Sequence, residues 1–347
     1  MKLYDDEGYL NIDAILDTNL PFLFVTGGRG IGKTFGALKW TLLHDKKFVF
    51  LRRTQSQVDL INKPEFSPFK PVADYLGMEI ISKPLSKYNV GFFKGAESDE
   101  GKVEPVGKCL GYSMALSTIS NMRGFDASDV ELMIFDEFQP ERHERPIKNE
   151  AQAFFNAYET INRNRELQGR PPLQALCLSN SNDAGNSLYM ELKLISKVET
   201  MKKKGQVYSL DYNRGIGIFL LDDSPISERK NQTALYRATQ GNEFQKMALS
   251  NDFAEFRTNS IKPQPIKEYK ALCTIGEITF YRHKTDSHIY YCSTLKSGTP
   301  DSEIYDTTET EIKRWYRKYY YLWEAYMKDK IYFEDATTEL IFNKYMA

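Results

Sequence analysis

The sequence lacks any run of about 20 apolar residues, so no helix of it is expected to cross a membrane. It also lacks an excess of either charge: 46 Lys and Arg stand against 47 Asp and Glu, a net charge of −1. That excludes the broad basic field of a general nucleic-acid coat, and leaves only local patches to meet a polyanion. Cysteine is sparse. Cys109, Cys177, Cys273 and Cys292 make no CxxC pair and no zinc spacing, and read as reduced thiols of an intracellular protein. The first residues carry Asp5, Asp6 and Glu7 in place of the basic and apolar segments of a secretory signal. Internal repeats and low-complexity tracts are missing as well. What is there is a chain of 347 residues, 41% hydrophobic and 27% charged, enough for a soluble globular protein of roughly two domains.

The strongest local pattern is Gly27-Gly28-Arg29-Gly30-Ile31-Gly32-Lys33-Thr34. It has the form G-x-x-x-x-G-K-T, the phosphate-cradling P-loop. The flanks suit it. Pro21 to Val25 is an apolar run that reads as a buried strand, and Phe35 to Leu43 follows as a helix. Glycines let backbone N–H groups converge on phosphate oxygens, and a helix N-terminus adds its positive end. Lys33 is then expected to reach the phosphates of ATP, and Thr34 to hold Mg²⁺ through its hydroxyl. Residues 1–20 form a lead-in with a helical pattern at Ile12, Ile15 and Leu16.

A second pattern supports the first. Val130 to Phe135 is an apolar strand that ends in Asp136-Glu137, the Walker B form. Asp136 suits the water shell of Mg²⁺. Glu137, turned the other way by strand alternation, is placed to act as general base on the attacking water. A glutamate beside the metal aspartate favours a hydrolase over a kinase. The long gap between Thr34 and Asp136 leaves room for an extra strand. These features predict an α/β P-loop ATPase of the additional-strand, catalytic-glutamate class, with a mainly parallel sheet.

Other polar positions are more open. Phe48 to Leu51 reads as a strand closed by Arg52-Arg53, which either touch phosphate of a nucleotide or of DNA, or form a solvated strand end. Residues 64–118 look like a hairpin insertion, with short strands at Glu79 to Ile81, Val90 to Phe93 and Cys109 to Ala115 and a loop from Gly101 to Gly107. A helix from about Lys148 to Arg165 puts Phe154, Tyr158, Ile161 and Arg165 on one stripe. Arg163 lies about 200° round from Ile161 and faces outward. It is either a residue that reaches a neighbour's γ-phosphate or a basic end on the helix dipole. Leu176 to Asn180 is another strand with a polar end, where Ser179 or Asn180 either senses the γ-phosphate or simply makes a turn. Lys202, Lys203 and Lys204 are a solvated helix end or a phosphate contact. These patterns divide the chain into an ATPase domain at 1–205, a linker subdomain at 206–240, and a C-terminal domain at 241–347. The last carries a strand meander (Tyr269 to Ile275, Gly276 to His283, Ile289 to Thr294) and a long aromatic helix from Thr308 to Lys328.

Taken in order, GGRGIGKT, Met122-Arg123-Gly124, IFDEF at Ile134 to Phe138, NRNRE at Asn162 to Glu166 and CLSN at Cys177 to Asn180 resemble the phi29-type phage DNA-packaging ATPases, compact relatives of the large terminases. Thr239 to Phe244 and Met247 to Phe253 extend the resemblance into the second domain. It implies a homo-oligomeric ring, a pentamer, that sits at the portal of a procapsid in the host cytoplasm and drives double-stranded DNA inward. Some members of the family dock through a phage RNA. By motif, Gly27 to Thr34 bind nucleotide, with Asn180 beside it; Thr34 and Asp136 serve Mg²⁺; Lys33 and Glu137 are catalytic. Arg163 is the trans-acting finger and Arg165 the alternate. Arg52, Arg53 and Lys202 to Lys204 are the candidates to line a DNA channel. The C-terminal domain is implied to be a ribonuclease-H-like fold without its nuclease site. In keeping with that, the first meander strand has no Asp or Glu, and Glu268, Glu277 and Asp286 fall at strand edges and turns. The competing readings are a terminase that also cuts DNA, and an assembly protein gated by nucleotide without steady turnover.

Overall fold

The structure, a computed structural model, describes residues 1–98, 101–122, 127–140, 147, 149–180, 186–221, 224–240 and 260–346. Arg123 and Gly124 of the resemblance, and its segments at 241–244 and 247–253, lie outside the described residues. So does Lys148, the expected start of the Arg163 helix. The chain divides into two compact units. One comprises Met1–Arg142, Asn149–Asn182 and Thr200–Asp252; the other comprises His143–Lys148, Asp183–Glu199 and Phe253–Ala347.

The first unit is built on nine strands: β1 (Phe22–Gly27), β2 (Phe48–Arg52), β3 (Ile80–Pro84), β4 (Asn89–Glu97), β5 (Val103–Ala115), β6 (Leu132–Asp136), β7 (Gln174–Ser179), β8 (Tyr208–Asp211) and β9 (Ile216–Leu221). Their order is β3-β4-β5-β2-β6-β7-β1-β9-β8. The six strands from β5 to β9 in that order run parallel, and antiparallel pairs close both edges. A parallel sheet is covered on both faces, so its strands read as unbroken apolar runs rather than alternating ones. Leu23, Phe24 and Val25 of β1 and Met133, Ile134 and Phe135 of β6 are accordingly fully buried. Helices α1 (Ile12–Leu16) and α2 (Lys33–Leu43) bury Ile12, Ile15, Ala37 and Leu38 in the same core as Leu23 and Val25. Helices α3 (Gln55–Ile61) and α4 (Lys70–Leu76) follow β2, and α5 (Glu150–Asn162) lies between β6 and β7.

Three expectations change here. The strand interposed between β1 and β6 is β7, which follows the Asp-Glu strand in the chain; the long gap before Asp136 supplies β2 to β5 instead. The hairpin region is not an appendage. The first half of β5 is exposed and pairs only with β4, and it takes in Val103 to Gly107 of the stretch that reads as a loop. The second half is buried and pairs with β2. Gly111 marks that buried half, since a Cβ there would fall 2.5 Å from the Phe48 ring. Finally, the first part of the segment set apart as a linker subdomain adds two strands to the sheet, β8 and β9. Ile216 to Leu221 is fully buried along β9 and pairs in register with β1.

Helices α6 (Ser187–Glu191), α7 (Ile195–Lys203), α8 (Pro225–Lys230) and α9 (Ala234–Ala238) complete the middle of the chain. The second unit holds a five-stranded sheet of β10 (Tyr269–Ile275), β11 (Ile278–His283), β12 (Tyr290–Ser293), β13 (Ile304–Tyr305) and β14 (Ile331–Phe333). Its order is β13-β10-β11-β12-β14. The middle three form the antiparallel meander, and each edge strand runs parallel to its neighbour. The expected long helix is interrupted at Tyr320 into α10 (Glu309–Tyr319) and α11 (Tyr321–Met327), with α12 (Ala336–Met346) after β14. Its aromatic stripe is core. Trp315, Tyr319, Leu322 and Tyr326 are buried with Phe280 and Phe342, and the Trp315 indole donates to Cys273 Sγ at 3.3 Å. All four cysteines are unpaired thiols. No helix among the described residues is long and apolar enough to cross a membrane.

Candidate active site at the phosphate loop

β1 ends at Gly27, and the chain turns through Gly30 (φ 72°) and Gly32 (φ 90°) before α2 begins at Lys33. Both glycines hold the left-handed conformation that other residues adopt only under strain. Gly32, at the N-cap, offers no side-chain cap, so the first N–H groups of α2 are left to an incoming anion. The loop is tied down from behind: Leu10 N–H donates to the Ile31 carbonyl at 2.8 Å, and Ile31 is fully buried.

Lys33 is 6% exposed and folds over this loop. Its ammonium donates to the Gly27 and Gly28 carbonyls at 2.8 and 2.9 Å, and to Asn180 Oδ1 at 3.0 Å. Asn180, at the end of β7, thus joins the loop as the strand-end pattern allows. Burial pushes the Lys33 ammonium down to about 7, against the pull of the nearby Asp136 carboxylate. A cation held this way gains from any anion that enters the loop.

Across from Lys33 stands the end of β6. Thr34 Oγ1 donates to Asp136 Oδ1 at 2.9 Å, so the hydroxyl and the carboxylate meet at one point. Two hard oxygen donors in contact fit Mg²⁺, which binds through one or two protein groups and keeps several waters. Arg52 lies against the same carboxylate, with Nη1 donating to Asp136 Oδ2 at 2.7 Å and 3.3 Å from Glu137 Oε2. The two carboxylates therefore share one guanidinium. Strand alternation is not what orients Glu137. β6 stops at Asp136, and Glu137 takes a left-handed backbone with φ 59°. That turn lets Phe138 N–H donate to the Leu178 carbonyl and drops Phe138 into the core beside Phe24 and Phe135. It leaves the Glu137 side chain 41% exposed at the sheet's C-terminal edge, where open α/β sheets take their ligands.

The other arginines separate. Arg53, one residue on from Arg52, is 1% exposed and ion-paired with Glu150 at 2.7 Å. It is a structural residue inside the protein and does not offer itself to a DNA backbone. Arg52, a candidate for the same DNA channel, is engaged by Asp136 and Glu137 at the end of β6. Arg165 is 4% exposed, and its Nη2 donates to the Ser128 carbonyl at 2.9 Å and to the Val130 carbonyl. It braces the start of β6 and has no freedom to act as a finger. Arg163 is exposed at the C-cap of α5 with φ 48°. Lys203 and Lys204 are exposed and Lys202 half-buried at the end of α7. One contact escaped the sequence altogether: Lys230 of α8 donates to the Arg29 carbonyl of the loop. Nothing in its local pattern announces it, because the partner is 201 residues away.

A glycine-rich phosphate loop on a mainly parallel sheet, two strands from an Asp-Glu strand end, places the chain with P-loop nucleotide-binding proteins of mixed α/β fold. The comparisons narrow this. Residues 100–270 match the family described as Podovirus DNA encapsidation protein (Gp16). The chain is 25% identical over 255 residues to the DNA packaging protein of Bacillus phage phi29, and 28% identical over 249 residues to that of Bacillus phage B103. Those alignments cover 72% and 70% of this chain, but span only 65% and 66% of the relatives' own length. A solved structure of the Phi-28 gp11 DNA packaging motor shares the fold, with a TM-score of 0.63 at 20% identity, over 99% of this chain and 98% of that one. The chain is similar to the phi29-type DNA-packaging proteins.

Proposed function

We propose that the protein is an ATPase subunit of a DNA-packaging motor, which hydrolyses ATP to move double-stranded DNA into a procapsid. The observation that carries this is the meeting of Lys33, Thr34, Asp136 and Glu137 at one edge of the sheet, in a relative of packaging proteins. In this reading, the topology belongs to the additional-strand, catalytic-glutamate class, with β7 as the additional strand. Backbone N–H groups at the head of α2 receive the phosphates, and Lys33 exchanges its loop carbonyls for phosphate oxygens. Thr34 and Asp136 hold Mg²⁺, which when bound neutralises charge on the phosphate chain. Glu137 accepts the proton of the attacking water once Arg52 no longer engages it. Arg163, exposed beyond α5, is offered to the site of a neighbouring subunit in a homo-oligomeric ring. By resemblance the ring is a pentamer at the portal, with a phage RNA among its candidate partners and the host cytoplasm as its setting. Lys202 to Lys204 remain the candidates for DNA contact.

The second unit is proposed as a ribonuclease-H-like domain without nuclease activity. A two-metal site needs convergent carboxylates. Glu268 precedes β10, and its carbonyl accepts from Lys284 N–H beside Asp286, so these two share one end of the meander. Glu277, in the β10–β11 turn, sits at the other end.

ATP hydrolysis by the purified protein, with and without double-stranded DNA, tests the proposal. Turnover should rise with DNA and fall away without Mg²⁺, while the DNA stays intact even with Mn²⁺. Turnover indifferent to DNA when the ring is assembled would contradict a motor. Cleavage lost on changing Glu277 or Asp286 would contradict the reading of the second unit.

A further inference from the structure

The phosphate loop carries more positive charge than its motif requires. Arg29 and Lys33 belong to the motif stretch; Lys230 comes to it from α8. Its ammonium donates to the Arg29 carbonyl, and a Cβ at Gly30 would overlap Nζ and lie 2.9 Å from Cε. The lysine thus lies directly on the loop's left-handed turn, where only glycine leaves it room.

Three features make a purely structural clasp a poor account of it. An ammonium has three donors, and the partner described is one neutral carbonyl. Among the described residues no carboxylate pairs with Lys230, whereas Lys46 and Lys47 beside the sheet each have one. Burial depresses its basicity, and the charges of Lys230 and Arg29 both oppose that of Lys33. A half-buried cation set among like charges is costly unless an anion completes the site. The anion for which this loop is shaped is a chain of phosphates. Lys230 is also held in advance of it. Arg229 donates to the Glu7 carbonyl at 3.2 Å, and Gly8 is packed so closely on α8 that a Cβ there would fall 2.9 Å from Pro225 Cβ. α8 is thereby fixed to the lead-in that also ties down Ile31. A lysine presented on such a platform loses little freedom when its ligand arrives.

We propose that Lys230 is a second nucleotide-binding lysine, which grips the polyphosphate from the α8 side of the loop while Lys33 grips it from within. This rests on the reading of the loop as an ATP site. Equilibrium titration with MgATP tests it, at about 50 and about 200 mM salt, in the wild-type chain, Lys230→Met, Lys230→Arg and Lys33→Ala. Thermal unfolding of each without nucleotide runs alongside. Losing one charge-assisted phosphate contact should weaken ATP binding about tenfold in Lys230→Met, flatten its salt dependence, and leave the unfolding temperature in place. Lys230→Arg, which keeps the charge, should bind within about threefold of wild type. Binding unchanged in Lys230→Met but lost in Lys33→Ala would overturn the proposal and spare the ATP site. Affinity and unfolding temperature falling together in Lys230→Met, with neither restored in Lys230→Arg, would make Lys230 a structural prop and overturn it too. A wild-type chain that does not bind MgATP would overturn the ATP site itself, and this inference with it.

Discussion

Arg52 and Arg53 are neighbours in the chain and strangers in the structure. β2 ends at Arg52 and the chain bends at Arg53, so one meets Asp136 and Glu137 while the other meets Glu150 inside the protein. Sequence could show that the pair ends a strand; it could not show which face held a carboxylate, because Glu150 arrives from α5, 97 residues on. The buried pair makes a prediction. Removing one partner leaves an uncompensated charge, which costs roughly 3–5 kcal/mol. Arg53→Met should lower the unfolding temperature markedly, while the salt dependence of DNA binding stays as in wild type. A stable Arg53→Met protein with weakened DNA binding would return Arg53 to the DNA channel. Glu137 shows the same limit of sequence in another form. The Asp-Glu pair was legible, but its left-handed backbone was not, since that follows from seating Phe138 among Phe24 and Phe135.

At the scale of one element, the end of α5 sorts two arginines that sequence leaves as alternates. The helix expected to reach Arg165 stops at Asn162: Phe154 and Ile161 turn inward on α5, the left-handed Arg163 lies exposed at its end, and Arg165 is buried beyond the turn. Arg165 then closes on the carbonyls of Ser128 and Val130. Arg165→Ala should destabilise the fold by about 1–3 kcal/mol, by leaving buried acceptors short of a donor. Arg163→Ala should keep its unfolding temperature and lower the turnover of the assembled ring by about a thousandfold, the scale of a lost arginine finger. Unfolding curves and steady-state rates on both variants check this; the reversed pattern would exchange the two roles. Strand β9 was missed for an equally local reason. Gly215 and Gly217 break up its apolar run, yet Gly217 sits within the sheet, close against Leu23, where a larger residue would not fit.

For the molecule as a whole, the parts that could be read from sequence are those whose physics is local: the phosphate loop between its strand and helix, the apolar strand ending in carboxylates, the meander and the aromatic stripe. What could not be read depends on which strands become neighbours. β7 inserts between β1 and β6 from later in the chain, and that insertion brings Asn180 to Lys33. Lys230 is the extreme case, reaching the loop from beyond the last strand of the sheet. These long-range placements assemble a site in which ATP, a metal and an activated water are expected to meet, and the role of Glu137 there is the central claim. The most direct test is ATP turnover with double-stranded DNA present, for wild type and Glu137→Gln, with bound nucleotide measured in the same samples. Glu137→Gln should keep its ATP and lose turnover by about a hundredfold to ten-thousandfold, the usual worth of a general base. Turnover at the wild-type rate in Glu137→Gln would contradict that role.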